Sequence, residues 1–251
     1  MTRVVCRVRA RGRSPSGSSA LGWFTIPYTW IPMHQKNSLI VFFHGIGASA
    51  AQLMPLVNVY ASALPDSRLV VPDAPFRHRY GHEWFSIEGN PLSMDKIETA
   101  RTAFDQTVND IIDREGFADA HDRVAFVGVS QGAIVSLDAV ASGRWQIGGV
   151  VAFAGLLPPM PASSKSNKTP VLLVHGGEDR TIPALASAMA RGQLLAAGFK
   201  VELDVLQGVG HTISPAGAER ALDFLKKTMA MAKSHHQPAA QGNNHPLRLP
   251  V

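Results

Sequence analysis

Arg123-Val124-Ala125-Phe126-Val127-Gly128-Val129-Ser130-Gln131-Gly132-Ala133-Ile134-Val135 is the stretch that decides the fold. Its first half, Arg123–Val127, is a largely apolar run of strand length, and from Gln131 to about Ser142 the pattern turns helical. Between them, Gly128-Val129-Ser130-Gln131-Gly132 is a GxSxG pattern in the context that gives it chemical meaning, a tight strand-to-helix turn. A serine placed there projects its oxygen above the sheet, with the helix N-terminus aimed at any anion that develops beside it. Glycines two residues before and after let neighbouring backbones pass closely. The bare pattern arises readily by chance, so its weight depends on what surrounds it.

Working outward, short apolar runs alternate with longer helical patterns on both sides. Leu39–Phe43, Arg68–Val71, Gly149–Phe153, Val171–His175 and Val201–Leu206 read as further strands. Most are apolar nearly throughout, as strands covered on both faces are. The clearest helix runs from about Ser93 to Arg114, where Ile97, Ala100, Phe104, Val108 and Ile111 recur every three or four residues. Gly116 ends it and Ser93 caps it without the reciprocal carboxylate of a capping box. Helices are also expected near Ala51–Ala63, Pro183–Ala197 and Pro215–Ala232, with Pro183 and Pro215 suited to a first helical turn. The alternation predicts an α/β architecture, a mostly parallel doubly wound sheet with helices on both faces.

The 251 residues, 45% of them hydrophobic, suffice for one large core. One domain is expected over residues 21–232, flanked by a basic extension at 1–20 and a disordered tail at 233–251 whose Pro, Gln, Asn and Gly show no apolar periodicity. The formal charge of +5 is carried by those ends: Arg3, Arg7, Arg9, Arg11 and Arg13, with Lys233 and Arg248 near the other terminus. No basic stripe interleaved with aromatics runs through the body, which argues against nucleic-acid binding. Cys6 is the only cysteine, so an intramolecular disulfide and multi-cysteine metal sites are excluded, and no HExxH helix occurs. No metal is expected.

Residues 1–20 are rich in Arg and Ser, and the first acidic residue is Asp66. That composition fits a transit-type presequence, a disordered arm or an artefact of start-site choice. A secretory signal fits less well, because Pro27 and Pro32 break the apolar stretch from Leu21 to Met33. No apolar run reaches the length of a membrane span, so stable membrane insertion is not expected. The expected location is cytoplasmic, with organellar import through the Arg/Ser-rich N-terminus as the alternative.

A serine hydroxyl is a weak nucleophile at neutral pH. It needs a base within hydrogen-bond reach, itself held in the right tautomer by a carboxylate. In a sheet of this kind both partners lie on later strand ends, acid before histidine. Asp179 follows Val171–His175 by four residues and His211 follows Val201–Leu206 by five. Glu178 is an alternative acid, and a plain loop carboxylate and a turn histidine are the bland alternatives. For the oxyanion, Gln131 supplies one amide as the residue after Ser130. His44-Gly45-Ile46-Gly47 follows the strand Leu39–Phe43 and could direct the Ile46 amide to the same spot, unless it is only a glycine turn. His44 and His175 each precede a glycine at a strand end and read as loop-bracing histidines rather than bases.

With these residues quoted, the sequence resembles the phospholipase/carboxylesterase family of the α/β-hydrolase superfamily, which includes acyl-protein thioesterases and small bacterial carboxylesterases. His44-Gly45-Ile46-Gly47 is similar to that family's HGxG loop, Pro72-Asp73-Ala74-Pro75 to its PxAP segment and Trp84-Phe85-Ser86 to its WFD segment. Gly128-Val129-Ser130-Gln131-Gly132 is similar to its GFSQG elbow, His175-Gly176-Gly177-Glu178-Asp179-Arg180-Thr181-Ile182-Pro183 to its HGxxDxxVP run, and Gly210-His211 to its GxxH ending. The resemblance spans about Leu39 to Leu225. It implies an α/β-hydrolase fold, Ser130 as nucleophile, Asp179 as orienting acid, His211 as general base, and the Ile46 and Gln131 amides as oxyanion hole. It also implies ester or thioester hydrolysis without a cofactor. Ser86 stands where Asp is usual and Val129 where Phe is usual, which bears on substrate preference.

Only Gly155 to Thr169 separates two strands at the usual position of a cap insertion, so no large cap domain is expected. An open site suits a small ester or an acyl group on a larger carrier. Phe76, Trp84, Phe85 and Leu157 are candidate substrate-binding residues, with Leu156 beside them; the alternative is that they anchor loops to the core. The expected activity is a serine carboxylesterase on short- to medium-chain esters or thioesters. A lysophospholipase or acyl-protein thioesterase, and from another class a catalytically silent binding protein of the same fold, are the alternatives. A homodimer is left open.

Overall fold

A computed structural model describes residues 36–90, 93–158 and 169–235. The expectations for the basic extension at 1–20, for Cys6 and for the tail beyond His235 fall outside the described residues. The elements in chain order are β1 (Ser38–Phe43), α1 (Ala50–Ala63), β2 (Ser67–Val70), β3 (Phe76–His78), β4 (Gly81–Glu83), α2 (Met94–Glu115), β5 (Val124–Val129), α3 (Gln131–Ala141), β6 (Gly149–Phe153), β7 (Val171–Gly176), α4 (Leu185–Ala196), β8 (Val201–Leu206) and α5 (Pro215–His235). A short 3₁₀ turn, His121–Arg123, leads into β5.

Six strands form one parallel sheet in the order β2-β1-β5-β6-β7-β8. The period of two in each strand sends alternate side chains to opposite faces. From β1, Leu39, Val41 and Phe43 join one core with Phe104, Val108 and Ile111 of α2 and Leu137 and Val140 of α3. Ile40 and Phe42 join the other, with Val57 and Tyr60 of α1 and Phe224 and Leu225 of α5. Both faces are covered, which is why β1, β5, β6 and β7 are apolar almost without interruption.

Strand order reverses between β1 and β5, because the chain leaves β1 for β2 on one side and returns to β5 on the other. Ligands bind at the carboxyl ends of the strands at such a switch point. There β1 delivers the His44–Gly47 turn and β5 delivers Ser130.

Three local features differ from expectation. Phe76–His78 and Gly81–Glu83 pair as a small antiparallel hairpin where no strand was expected. Helix α4 begins at Leu185 after Ala184, so Pro183 precedes the helix, its carbonyl accepting from the Ala186 N–H. Helix α5 starts at Pro215 as expected but continues to His235, past the boundary expected at Ala232.

Candidate active site

The sharp turn at Ser130 is forced by its surroundings. Ser130 has φ 53° and ψ −115°, a region that non-glycine residues rarely occupy and that concentrates at functional sites. It is held by Ser130 N–H donating to the Phe153 carbonyl (2.9 Å) and by its own carbonyl accepting from Ile134 (3.0 Å). Both flanking glycines are sterically required. A Cβ on Gly132 would lie 2.2 Å from the Phe43 carbonyl oxygen, and one on Gly128 2.4 Å from the Gly132 carbonyl oxygen. The elbow thus packs backbone to backbone against the end of β1.

Asp179 and His211 arrive from the loops after β7 and β8. The His211 ring lies 2.9 Å from Ser130 Oγ through Nε2 and 2.7 Å from Asp179 Oδ2 through Nδ1. Because a carboxylate only accepts, Nδ1 carries the proton and Nε2 is left to accept from the serine hydroxyl. The other carboxylate oxygen, Oδ1, accepts from the Thr181 (2.8 Å) and Ile182 (2.9 Å) amides. Burial by itself pushes the Asp179 carboxyl up, but the His211 hydrogen bond and the Ile182 and Thr181 amides outweigh it and hold the group below the usual carboxylate range. Glu178, the alternative acid, is exposed, whereas the Asp179 side chain is wholly buried.

Gly45 adjoins Ser130: a Cβ there would sit 3.3 Å from Ser130 Cβ. The turn is braced from two directions. His44 is buried, its Nδ1 donating to the Gly45 carbonyl (2.7 Å) and its Nε2 accepting from the Ala74 N–H (2.9 Å). Both ring nitrogens are satisfied in the neutral form, and burial lowers its affinity for a second proton. From the other side, the β3–β4 hairpin clips onto the turn, Gly47 N–H donating to His82 O (2.8 Å) and His82 N–H to Ala48 O (2.9 Å). Gly81 makes this approach possible, since a Cβ there would overlap the Ala48 carbonyl at 2.4 Å. Among the described residues neither the Ile46 nor the Gln131 amide has a hydrogen-bond partner.

The side chain of Gln131 has a task that its position in the motif did not disclose. Its Oε1 accepts from the Trp84 N–H (2.7 Å) and its Nε2 donates to the Phe85 carbonyl (2.6 Å), which ties the loop after β4 to the elbow. Trp84 itself is buried. It is 1% exposed, packs edge-on against Phe43 and Phe104, and donates its indole N–H to the His44 carbonyl (2.9 Å). Phe85 is half-buried and lines a small apolar cavity of about 40 Å³ with Ile97, Phe104, Ile134 and Pro158. Leu157 is partly buried against the core, and Phe76 is half-buried on β3. Ser86 does not imitate the aspartate it stands in for: its hydroxyl accepts from the Glu88 N–H (3.2 Å) in a local turn.

Sequence reading also missed the ion pairs beside this cavity. Asp138 on α3 takes a two-pronged contact from Arg101 of α2 (2.8 and 2.6 Å) and another from Arg144 (2.9 Å), which also reaches Asp105 (2.8 Å). Burial opposes the Asp138 charge, but the two guanidinium groups prevail and hold its carboxyl low. The network ties α3 to α2. No group of three or more His, Cys, Asp or Glu side chains is arranged to hold a metal ion among the described residues.

Compared with known proteins, residues 25–229 match the family model described as Phospholipase/Carboxylesterase. The chain belongs to this family. Among family relatives, Esterase YpfH of Escherichia coli is 29% identical over 202 residues, spanning 79% of this chain and 86% of that protein. Acyl-protein thioesterase 1 of Eremothecium gossypii is 27% identical, spanning 79% and 91%. The crystal structure of esterase PE8 superposes with a TM-score of 0.67 at 29% identity, covering 76% of this chain and 93% of that one. The fold is that of an α/β-hydrolase esterase, and the protein is a carboxylic ester hydrolase. Among the described residues no helix is long and apolar enough to cross a membrane.

Proposed function

We propose that the protein is a serine carboxylesterase that cleaves short- to medium-chain acyl esters or thioesters, free or on a larger carrier, through an acyl-enzyme. The single observation that carries this reading is the unbroken relay of 2.7 and 2.9 Å from Asp179 through His211 to Ser130. Ser130 Oγ attacks the acyl carbon while its proton passes to His211 Nε2. The carbonyl electron pair moves onto oxygen, where the Ile46 and Gln131 amides receive it. Collapse of this adduct breaks the bond to the alcohol or thiol, which leaves with the proton from His211. Water then repeats the sequence with His211 as base, releasing the acid and restoring Ser130. Asp179 stays ionised throughout, holding the tautomer and offsetting the imidazolium charge.

The link between β6 and β7 is too short for a large cap, which suits a small or carrier-borne ester. The resemblance to an acyl-protein thioesterase favours a second reading, in which the acyl group is long and presented on protein. A graded series of p-nitrophenyl esters and acyl thioesters separates them: turnover falling beyond medium chain lengths supports the first, and turnover rising to long chains the second. A fluorophosphonate probe is expected to label wild type and not Ser130→Ala, with the variant's melting temperature close to wild type. Undiminished labelling of Ser130→Ala would remove Ser130 from its role, and an unlabelled wild type would favour a silent binding protein.

A further inference from the structure

Asp179 is useful only if its carboxylate is held still, and the contacts that hold it lead to a second histidine. His175, next to last in β7, has a fully buried side chain, as does Asp179, and its Nε2 lies 3.2 Å from Asp179 Oδ2, the oxygen that meets His211. Nε2 also lies 2.8 Å from the Ile182 carbonyl. A carbonyl cannot donate, so Nε2 bears the proton, and Nδ1 then accepts from the Ser187 hydroxyl at 2.6 Å. The neutral ring is fully satisfied in this one tautomer.

Ile182 closes a small circuit. Its N–H donates to Asp179 Oδ1 (2.9 Å) while its C=O receives the His175 proton (2.8 Å). The His175 Nε2–H that Ile182 receives thus lies on the Oδ2 side of the carboxylate, with Nε2 3.2 Å from Oδ2. Of the ionisable groups around this circuit, His211 touches Asp179, Glu178, Arg180 and Arg191 are exposed, and Glu202 and Asp204 of β8 are engaged by Arg220.

We propose that His175 is a positioning residue: its Nε2–H fixes the 179–182 turn and thereby the Asp179 carboxylate against His211, with the Ser187 hydroxyl of α4 bracing the ring at Nδ1. This rests on the reading of Asp179 as the acid that orients His211. A packing role and a hydrogen-bonding role call for different replacements. Methionine fills much the same space without a donor, whereas glutamine can place an amide N–H where Nε2 stands.

The test is steady-state hydrolysis of p-nitrophenyl butyrate by the full chain, with melting temperatures measured alongside. His175→Met is expected to lower kcat roughly tenfold with KM unchanged, the size of one hydrogen bond serving a charged group. His175→Gln is expected to recover most of the loss. If methionine prevents folding, Ser187→Ala removes the brace at Nδ1 more gently and is expected to lower kcat several-fold at constant KM. Met and Gln variants equally active, or Ser187→Ala indistinguishable from wild type, would overturn the proposal. An inactive wild type that a fluorophosphonate does not label would instead overturn the esterase reading, and this one with it.

Discussion

The two halves of the site are built by different means. On the β1/β5 side, Ser130 and the His44–Gly47 turn are fixed by backbone crowding: Gly132 against Phe43, Gly81 against Ala48, and a strained φ at Ser130 itself. On the β7/β8 side one close backbone approach recurs, Gly176 against Val209 and Gly210, but the Asp179 carboxylate is placed by hydrogen bonds from the Thr181 and Ile182 backbone amides and in turn holds His211. Crowding tolerates almost no change of volume, whereas a hydrogen-bonded half can lose one member and keep its shape. The first half should therefore fail as a fold when altered, and the second should fail as chemistry.

Gly132→Ala tests the crowded half and has the largest expected effect. Alanine is favoured over glycine inside a helix by about 1 kcal/mol, yet the added Cβ would overlap backbone at Phe43 and His44, which cannot rotate away as a side chain could. The clash should outweigh the propensity gain, with a net loss of roughly 3 kcal/mol or more. Expected are a sharply lowered melting temperature and absent fluorophosphonate labelling. A variant of normal stability and activity would show that the elbow has slack the steric picture denies.

Asp179→Asn tests the other half. The amide keeps the volume but offers His211 no charge and invites the wrong tautomer, so kcat should fall by about 10³- to 10⁴-fold while the fold persists. The acid side of the stability curve supplies a second reading. The Asp179 carboxyl is held below its ordinary value in the folded protein, so its contribution to stability is present above the unfolded value, near pH 4, and is lost as pH falls through the lower folded value. The asparagine variant should lack that part of the acid decline. Melting temperatures from pH 6 to pH 3 check this, and identical acid slopes in both proteins would mean that the carboxylate is not held as described.

The same difference governs what was legible in the sequence. Strands buried on both faces announce themselves as apolar runs, and β1, β5, β6, β7 and β8 were placed within about two residues of their observed ends. Hairpin β3–β4 was not, because Phe76–His78 and Gly81–Glu83 show no apolar alternation and owe their form to pairing with each other and with the distant Ala48. Ser130, Asp179 and His211 could be nominated by order and strand end alone. The residues that hold them could not: nothing local marks Ser187 as the partner of His175, or the Gln131 side chain as the tie to Trp84 and Phe85, since those contacts cross 12 and about 47 residues of chain. The burial of Trp84 was not legible either, because an aromatic residue in a loop reads the same whether it lines a pocket or fills a core.

Trp84→Phe examines that last point and has the smallest expected effect. Phenylalanine keeps most of the packing on Phe43 and Phe104 and leaves the Trp84 backbone bond to Gln131 intact, but the buried His44 carbonyl loses its indole donor. That costs about 1–2 kcal/mol of stability, and because His44 begins the turn carrying the Ile46 amide, kcat should fall a few-fold. A core residue alters KM by the same small factor for every acyl chain length. If instead KM rose selectively for one length of p-nitrophenyl ester, the indole would be touching substrate, and the division between crowded core and open pocket drawn at this loop would have to move by one residue, from Phe85 to Trp84.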